Sequence, residues 1–548
     1  MTNTLGLVAA PHYLAAEIGA DILQNGGNAF DAAVAVALAI GVTQPYHSGI
    51  GGGCNSTFMM SDGSAGHINA RGPAPQQLAR SRLLDADGNP IYDLAQRGGL
   101  AVTIPSFVAG LYALHQGRGK LSWSDVCLAP QTLAADGFTA DFMMASVYRQ
   151  THTANKVAEF AQGTTFPAPI HQGQRVIQPQ MAETLGVIAK DYRAVYEGEI
   201  AQHLTAAAQK FGGVLIVDDL ATYQPQPKSV IEVSYRGWRI LANGLPTIGS
   251  LQTLFALQIL SNLSLDAHIP GSTEHLHLIA EAVKAAYAVR AEVDTDSAES
   301  IMTDAALAER IASEIRLDSI RATLFEATEG GNEALLEAVP NPESHTSHFC
   351  VADGDGNVVS QTQTVRSIFG SGVIDPVTGV VLNDSVGDFS LRPGEVTTQG
   401  IRYQGEYNLL VPGAEPASSQ SPLIAIHPET GDIIAAGAAG GPRIVSATVQ
   451  SLVNQIDFGM DARLASAFPR IHSHGMATDL EPNSTAGSGL SVLGHTIEET
   501  ARIGIMQTIR RQDGKWMGAA DMRGPGGAVM LIESDGYVAR QSYGYRIV

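Results

Sequence analysis

Residues 328–345 form an acidic run with Gly and Pro on either side of one short apolar stretch. They lead directly into Thr346-Ser347-His348-Phe349-Cys350-Val351-Ala352-Asp353, a β-type stretch whose first residue is a hydroxyl amino acid. The acidic run reads as an exposed linker. An exposed linker entering a buried strand at a threonine is the arrangement a self-cleaving nucleophile needs. The Thr346 hydroxyl would attack the His345 carbonyl, take over the acyl group as an ester, and emerge on hydrolysis as a new N-terminal residue. Its own α-amine, with an ordinary pKa near 8, then serves as base for its own hydroxyl, so no catalytic histidine is required.

The next residues supply a neighbour for that hydroxyl. Gly354-Asp355-Gly356-Asn357 is a turn sequence, and Val358 to Arg366 is a second β-type run, so the two runs predict a hairpin. Pairing about that turn sets Thr346 opposite position 364 or 365, which brings Thr364 and Arg366 beside it. A plain hairpin with threonines present for their β-propensity is the competing reading of the same residues.

Elements that would position this hairpin are visible upstream. Tyr13 to Leu23 has near-helical apolar spacing and stops at Gly26-Gly27. A second helix, capped by Asn28 or Asp31, runs through Ala32 to Ile40 and is apolar on nearly every face, as for a helix buried between layers. Ser48-Gly49-Ile50-Gly51-Gly52-Gly53 reads as a close-packing turn rather than a phosphate loop, because no Gly-x-x-x-x-Gly-Lys-Ser/Thr occurs in the chain. From about Ser122 to Phe325 the pattern is mostly helical, and after the linker it turns to β, staying largely so to about Arg443.

The whole chain has 548 residues, 45% of them hydrophobic and 16% charged, which is globular usage. At about 150 residues per domain the length allows three or four units. With 54 acidic against 33 basic side chains the net charge is −21, which argues against nucleic acid as a partner. Three scattered cysteines, Cys54, Cys127 and Cys350, make neither a disulfide framework nor a Cys-x-x-Cys pair. The first basic residue is Arg71, and the longest apolar stretch is well short of the roughly 20 residues that span a bilayer. The expectation is a cytoplasmic protein with no membrane partner.

Several unlinked motifs then stand in one order along almost the entire chain. They are Gly26-Gly27-Asn28-Ala29-Phe30-Asp31-Ala32-Ala33, Ser48 to Gly53, Thr346-Ser347-His348-Phe349, Phe369-Gly370-Ser371-Gly372, Leu382-Asn383, Asp388-Phe389, Ser418-Ser419-Gln420-Ser421-Pro422 and Gly440-Gly441-Pro442-Arg443. On these residues the chain resembles the γ-glutamyltransferase family of the N-terminal-nucleophile hydrolase superfamily. The resemblance implies an α+β fold, a four-layer αββα sandwich built as one structural domain from two pieces of a self-cleaved chain. The pieces would be a large one, 1–345, and a small one, 346–548, each the other's partner in a heterodimer.

The resemblance also implies roles. Thr346 matches the nucleophile, and Thr364 the threonine that supports it. Gly440 and Gly441 match the pair whose backbone N–H groups form an oxyanion hole. Arg71 matches the arginine that binds the substrate α-carboxylate, for which a structural salt bridge is the other reading. Ser418 and Ser419 match the serines that hydrogen-bond the same carboxylate, and Asp388 the acid that pairs with the substrate α-ammonium. Three positions depart from the pattern. Arg366 stands where Asn usually holds the α-amino group, Ser385 where Gln or Glu helps it, and Gly72 where Glu commonly follows the arginine.

A cation beside a substrate ammonium is unfavourable, so a donor with a carboxylate and no ammonium fits better. Glutaryl, which is γ-glutamyl without its amine, is such a group: Arg366 could face it without penalty, or pair with Asp388. Family members that act on glutaryl-cephalosporins or on oxamate extend the implied substrates to small amides carrying a carboxylate. Hydrolysis and transfer to an amino acid or peptide are both open, and no metal or organic cofactor is required. Arg392 to Pro412, with Tyr403 and Tyr407, has the length of a lid.

Two other classes compete. His275-Leu276-His277 and His472-Ser473-His474 are both His-x-His and raise a metal-dependent amidohydrolase, although i and i+2 diverge on a helix. The other is a processed but inactive binding protein, against which the intact Thr346, Thr364 and Gly440-Gly441 set speaks. A nucleophile-elbow serine hydrolase is disfavoured because Gly-x-Ser-x-Gly is absent.

Overall fold

The computed structural model describes residues 4–315 and 346–542, apart from 150, 162–163, 165, 167–168, 226, 295, 396, 398–400, 402, 475–476, 525 and 534–535. His345 and the acidic linker lie outside the described residues.

Two sheets lie at the centre. One has eight strands, in the order Gly536–Ser542, Ala528–Glu533, Thr4–Ala10, Ser347–Asp353, Val358–Thr364, Gly53–Met59, Ala65–Ala70 and Pro227–Lys228. The other has six, in the order Lys515–Ala520, Ile505–Gln512, Ile433–Ala439, Leu423–Ile426, Trp238–Ala242 and Ile231–Tyr235. Between them sits a core that mixes small residues, Ala9, Cys350, Ala352, Ala435 and Ala520, with larger ones such as Leu7, Ile424, Ile433 and Ile509. Small side chains let the sheets approach closely: a Cβ at Gly437 would fall 2.4 Å from the His348 ring. Helices Tyr13–Gln24 and Ala29–Thr43 cover the eight-stranded sheet, and Ile248–Ser261, Thr273–Glu292 and Arg443–Ile456 cover the six-stranded one. Helix, sheet, sheet and helix make the expected four-layer αββα sandwich.

The hairpin that opens at Thr346 has the expected register, with Gln363 opposite Ser347, so the next step along the ladder sets Thr364 beside Thr346. One side chain organises its turn. Asp353 Oδ1 accepts the backbone N–H groups of Asp355, Gly356 and Asn357 at 2.9–3.0 Å, and Oδ2 accepts from Ala29 N at 3.0 Å. The same carboxylate therefore closes the turn and tethers the start of the buried helix. That helix begins as the sequence predicts, with a capping box of Asn28 and Asp31, and all of its residues are buried.

One expectation needs an addition and one a correction. The described residues 122–315 are mostly helical as expected, but Ile231–Tyr235 and Trp238–Ala242 form a hairpin at the edge of the six-stranded sheet. Its first strand alternates in burial, and its turn, Arg236-Gly237, has both φ angles positive, a signal overshadowed by the long helical runs around it. Conversely, the described residues between Thr364 and Leu423 hold no regular strand but a series of tight turns and one short 3₁₀ segment, Ser385–Asp388. That irregular stretch carries half of the site described next.

Candidate active site

Thr346 is buried at the head of its strand, and its hydroxyl donates to Thr364 Oγ1 at 3.3 Å. Thr364 Oγ1 also accepts the Arg366 N–H at 2.8 Å. The glycine turn at 48–53 holds this corner from outside. A Cβ at Gly52 would sit 2.2 Å from the Thr364 carbonyl oxygen and one at Gly51 2.0 Å from that of Val381, so the turn works by close backbone approach. His348, two residues beyond Thr346, is not a base for it. Burial holds its pKa down at about 3, and its nitrogens face Thr362 and Cys350.

A cleft enclosing about 260 Å³ brings together Arg71, Thr346, Thr364, Arg366, Asp388, Ser418, Ser419 and Gly441, with Gln420 and Ile444 completing its lining. Eight of the ten residues expected for catalysis and binding thus meet in one place. Gly440 and Ser385 stand outside the lining. Gly440 precedes Gly441 at the end of strand Ile433–Ala439, and Ser385 lies on the 3₁₀ segment, its N–H donating to Asn383 Oδ1 at 3.0 Å. Gly440 and Gly441 adopt φ values of +131° and +59°, which a side chain disfavours, and helix Arg443–Ile456 starts two residues later. Backbone N–H groups at such a helix start favour negative charge.

The charged wall differs from the arrangement the motif match implies. Asp388 is not left free for an ammonium group. One carboxylate oxygen pairs with Arg71 and the other accepts from Arg366 Nε at 2.6 Å. Arg366 extends the network, donating to Asp384 at 2.9 Å and to the Gly387 carbonyl at 3.1 Å. Its φ of +83° is uncommon for a residue with a side chain and costs on the order of 1 kcal/mol. Burial, with Arg366 close by, pulls the Arg71 guanidinium down to about 10. Gly72 is explained by space: a Cβ there would lie 1.7 Å from the Ile104 carbonyl oxygen, so no glutamate fits.

Three participants were not singled out from the sequence. Asp384 holds Arg366 and accepts the Ser367 N–H at 2.9 Å, and its spacing of four from Asp388 was the available signal. Gln420 accepts from Asn55 Nδ2 at 2.6 Å. Arg290, fully enclosed on helix Thr273–Glu292, donates to Ser419 Oγ at 3.2 Å, to Gln252 Oε1 at 2.7 Å and to the Tyr403 hydroxyl at 2.9 Å. Accepting from Arg290 leaves the Ser419 hydroxyl its own proton to donate, and Ser419 lines the cleft. Tyr403 ties the expected lid segment to that helix. Asn408 ties it to the Asp388 carbonyl at 2.6 Å. Neither His-x-His pair lines the cleft. His275 and His277 diverge on their helix, toward Phe458 and His495 respectively. Among the described residues no helix is long and apolar enough to cross a membrane.

Comparison with known proteins agrees with this geometry. The gamma-glutamyltranspeptidase family model matches residues 15–531. The chain is 30% identical to the glutathione hydrolase proenzyme of Escherichia coli over 94% of this chain and 90% of that one. It is 33% identical to the Pseudomonas aeruginosa protein of the same name, over 95% and 94%. Among solved structures, a cephalosporin acylase from Bacillus halodurans superimposes with a TM-score of 0.81 at 26% identity, over 96% of both chains. The sandwich is therefore that of the N-terminal-nucleophile hydrolases, and the chain belongs to the gamma-glutamyltranspeptidase family of amide-bond hydrolases and acyltransferases.

Proposed function

We propose that the chain is a self-processing threonine amidohydrolase for amides whose acyl group ends in a carboxylate, and that glutaryl-type donors suit it better than γ-glutamyl ones. The observation that carries this reading is the single cleft in which the Thr346 hydroxyl, bonded to Thr364, faces Gly441 on one side and Arg71, Ser418 and Ser419 on another.

In maturation the Thr346 hydroxyl attacks the His345 carbonyl carbon. The acyl group moves from nitrogen to oxygen, and water cleaves the ester to leave a His345 carboxylate and a free Thr346 α-amine. The name proenzyme carried by the relatives supports this step. In turnover the α-amine takes the Thr346 hydroxyl proton as Oγ1 attacks the substrate carbonyl. The Gly440 and Gly441 N–H groups stabilise the oxyanion, and the amine leaves with a proton. Water or an acceptor amine then releases the acyl group. Arg71, Ser418 and Ser419 hold its distal carboxylate, with Ser419 kept as a donor by Arg290.

Occupation of both Asp388 oxygens by guanidinium groups supports the preference for a donor without an ammonium. So does the resemblance to a cephalosporin acylase. Purified protein assayed with glutaryl- and γ-glutamyl-p-nitroanilide tests both parts. Release of p-nitroaniline from both, with the higher kcat/KM for glutaryl, is expected. A faster γ-glutamyl reaction overturns the preference, and no release from either overturns the amidohydrolase reading.

A further inference from the structure

Helix Thr273–Glu292 carries His277 and Glu281 one turn apart, hence on one face. Against that face lies His495, just before strand Thr496–Glu499. All three are buried, and one ligand atom from each lies within 4.8 Å of the others. His277 Nδ1 is 2.8 Å from His495 Nε2, which is 3.8 Å from Glu281 Oε1.

Proton bookkeeping shows what His495 presents to this meeting point. Ser473 donates its hydroxyl proton to the Ala477 carbonyl at 3.4 Å, and Thr478 donates its own to Ser473 Oγ at 3.2 Å. Thr478 Oγ1 therefore accepts, and does not donate, across its 3.1 Å contact with His495 Nδ1. With the proton on Nδ1, the neutral ring accepts at Nε2 from His277 Nδ1 at 2.8 Å, and a bound cation would replace that proton, which moves to solvent or to the other nitrogen of His277. Glu281 contributes more electron density. Lys284 takes Oε1 at 2.6 Å, and Oε2 is buried and meets no hydrogen-bond partner among the described residues. An orphaned carboxylate oxygen in such a place is costly unless something electropositive meets it.

We infer that His277, Glu281 and His495 form a binding site for a divalent cation of the zinc class. Two imidazole nitrogens and one carboxylate oxygen are a borderline-soft set that selects zinc-like ions over calcium or magnesium. Bonds of about 2.0–2.2 Å place tetrahedral ligand atoms roughly 3.3 Å apart, so small side-chain rotations convert the observed spacing into coordination. The Thr478 hydroxyl behind His495 is the outer partner that fixes a ligating ring. Oε1, the carboxylate oxygen 3.8 Å from His495, also holds Lys284, so rotation of the carboxylate about its last bond would give Oε2 to the ion and leave Oε1 to Lys284.

The site does not line the Thr346 cleft, so its role is structural. His277 and Glu281 precede Thr346 and His495 follows it. If the chain is cut before Thr346, a point that rests on the proposed processing, the ion would tie the two fragments together. The same helix continues to Tyr287, whose hydroxyl donates to the Pro442 carbonyl at 2.6 Å beside the Gly440-Gly441 turn, and to Arg290 behind Ser419.

The test is Co²⁺ titration of untagged, chelator-treated protein, read by the visible d–d absorption of a four-coordinate ion and by bound-metal analysis after gel filtration. One equivalent per chain, displaced by Zn²⁺ and lost in His495→Ala and Glu281→Gln, is expected. So is a rise in thermal midpoint on adding Zn²⁺ to the wild type alone. Binding is expected to persist in Thr346→Ala, so failure of the processing reading leaves this test intact. Substoichiometric uptake by the wild type, or uptake unchanged in both ligand variants, overturns the site and leaves a hydrogen-bonded network around a shared proton.

Discussion

The two walls of the cleft are built by different means. The nucleophile wall is made by backbone: a two-strand register sets Thr364 beside Thr346, and the glycines at 51–52 and 440–441 admit close approach and positive φ. The recognition wall is made by charge. Asp388 holds two guanidinium groups, Arg366 holds a second carboxylate in Asp384, and Arg290 works through the Ser419 hydroxyl. A backbone-built wall tolerates few changes and keeps its chemistry. In a charge-built wall, one substitution redistributes every partner. Arg366 occupies one Asp388 oxygen, which on the proposed reading is the oxygen an ammonium group would need.

The largest break in this comparison is expected from the charged wall. Asp388→Ala leaves Arg71 and Arg366 buried short of a carboxylate and should cost about 3–5 kcal/mol in chemical denaturation, because removing one partner of a buried pair strands the other. An unchanged denaturation midpoint would mean that the network is not what holds this wall. On the nucleophile wall, Thr364→Val keeps shape and removes the hydroxyl. It should slow both cleavage and p-nitroanilide turnover by about 10²-fold with little change in KM. A change in KM alone would move Thr364 to the recognition side.

Arg366→Asn sharpens the comparison further. Releasing Arg366 from Asp388 should raise the ratio of γ-glutamyl to glutaryl turnover by at least about tenfold, a change of about 1.4 kcal/mol that is only part of one charge interaction within a protein. A constant ratio would show that Arg366 does not govern selection.

The most gradual effect, smallest at any one pH step, concerns acid. Unfolded histidine titrates near 6.5, whereas His348 in the fold is held at about 3 by burial. Below pH 6.5 the unfolded chain therefore gains a proton that the native protein does not. This residue costs about 1.4 kcal/mol of stability per pH unit as pH falls toward 3. His348→Asn should remove about that slope from the pH dependence of the unfolding free energy in chemical denaturation, and an unaltered slope would contradict the burial argument.

The nucleophile wall was readable from sequence because its determinants are local. A turn at Gly354 to Asn357 dictates which residues face each other, whereas Gly440 and Gly441 were placed by their motif alone. The helix cap at Asn28 or Asp31 was legible locally, and the structure makes Asn28 the cap with Asp31 completing a capping box. The recognition wall was legible only in part. Arg71, Asp388, Ser418 and Ser419 stood out by motif, but their partners come from distant segments. The pairing of Arg366 with Asp388 was one of two readings open from the sequence, but nothing near Arg366 announces its second partner, Asp384, and Arg290 hides in an alanine-rich helix. The hairpin at Ile231–Ala242 was missed because a short strand pair carries little periodicity beside long helices.

The central claim is that Thr346 becomes the nucleophile by cleavage of the bond before it. Intact-mass spectrometry of the purified protein beside Thr346→Ala tests it most directly. The account predicts two fragments of 345 and 203 residues, the smaller beginning at Thr346, and a single uncleaved and inactive chain for the variant. A wild-type chain that stays whole yet hydrolyses the anilides, or a Thr346→Ala protein that is still cut at the same bond, would contradict it.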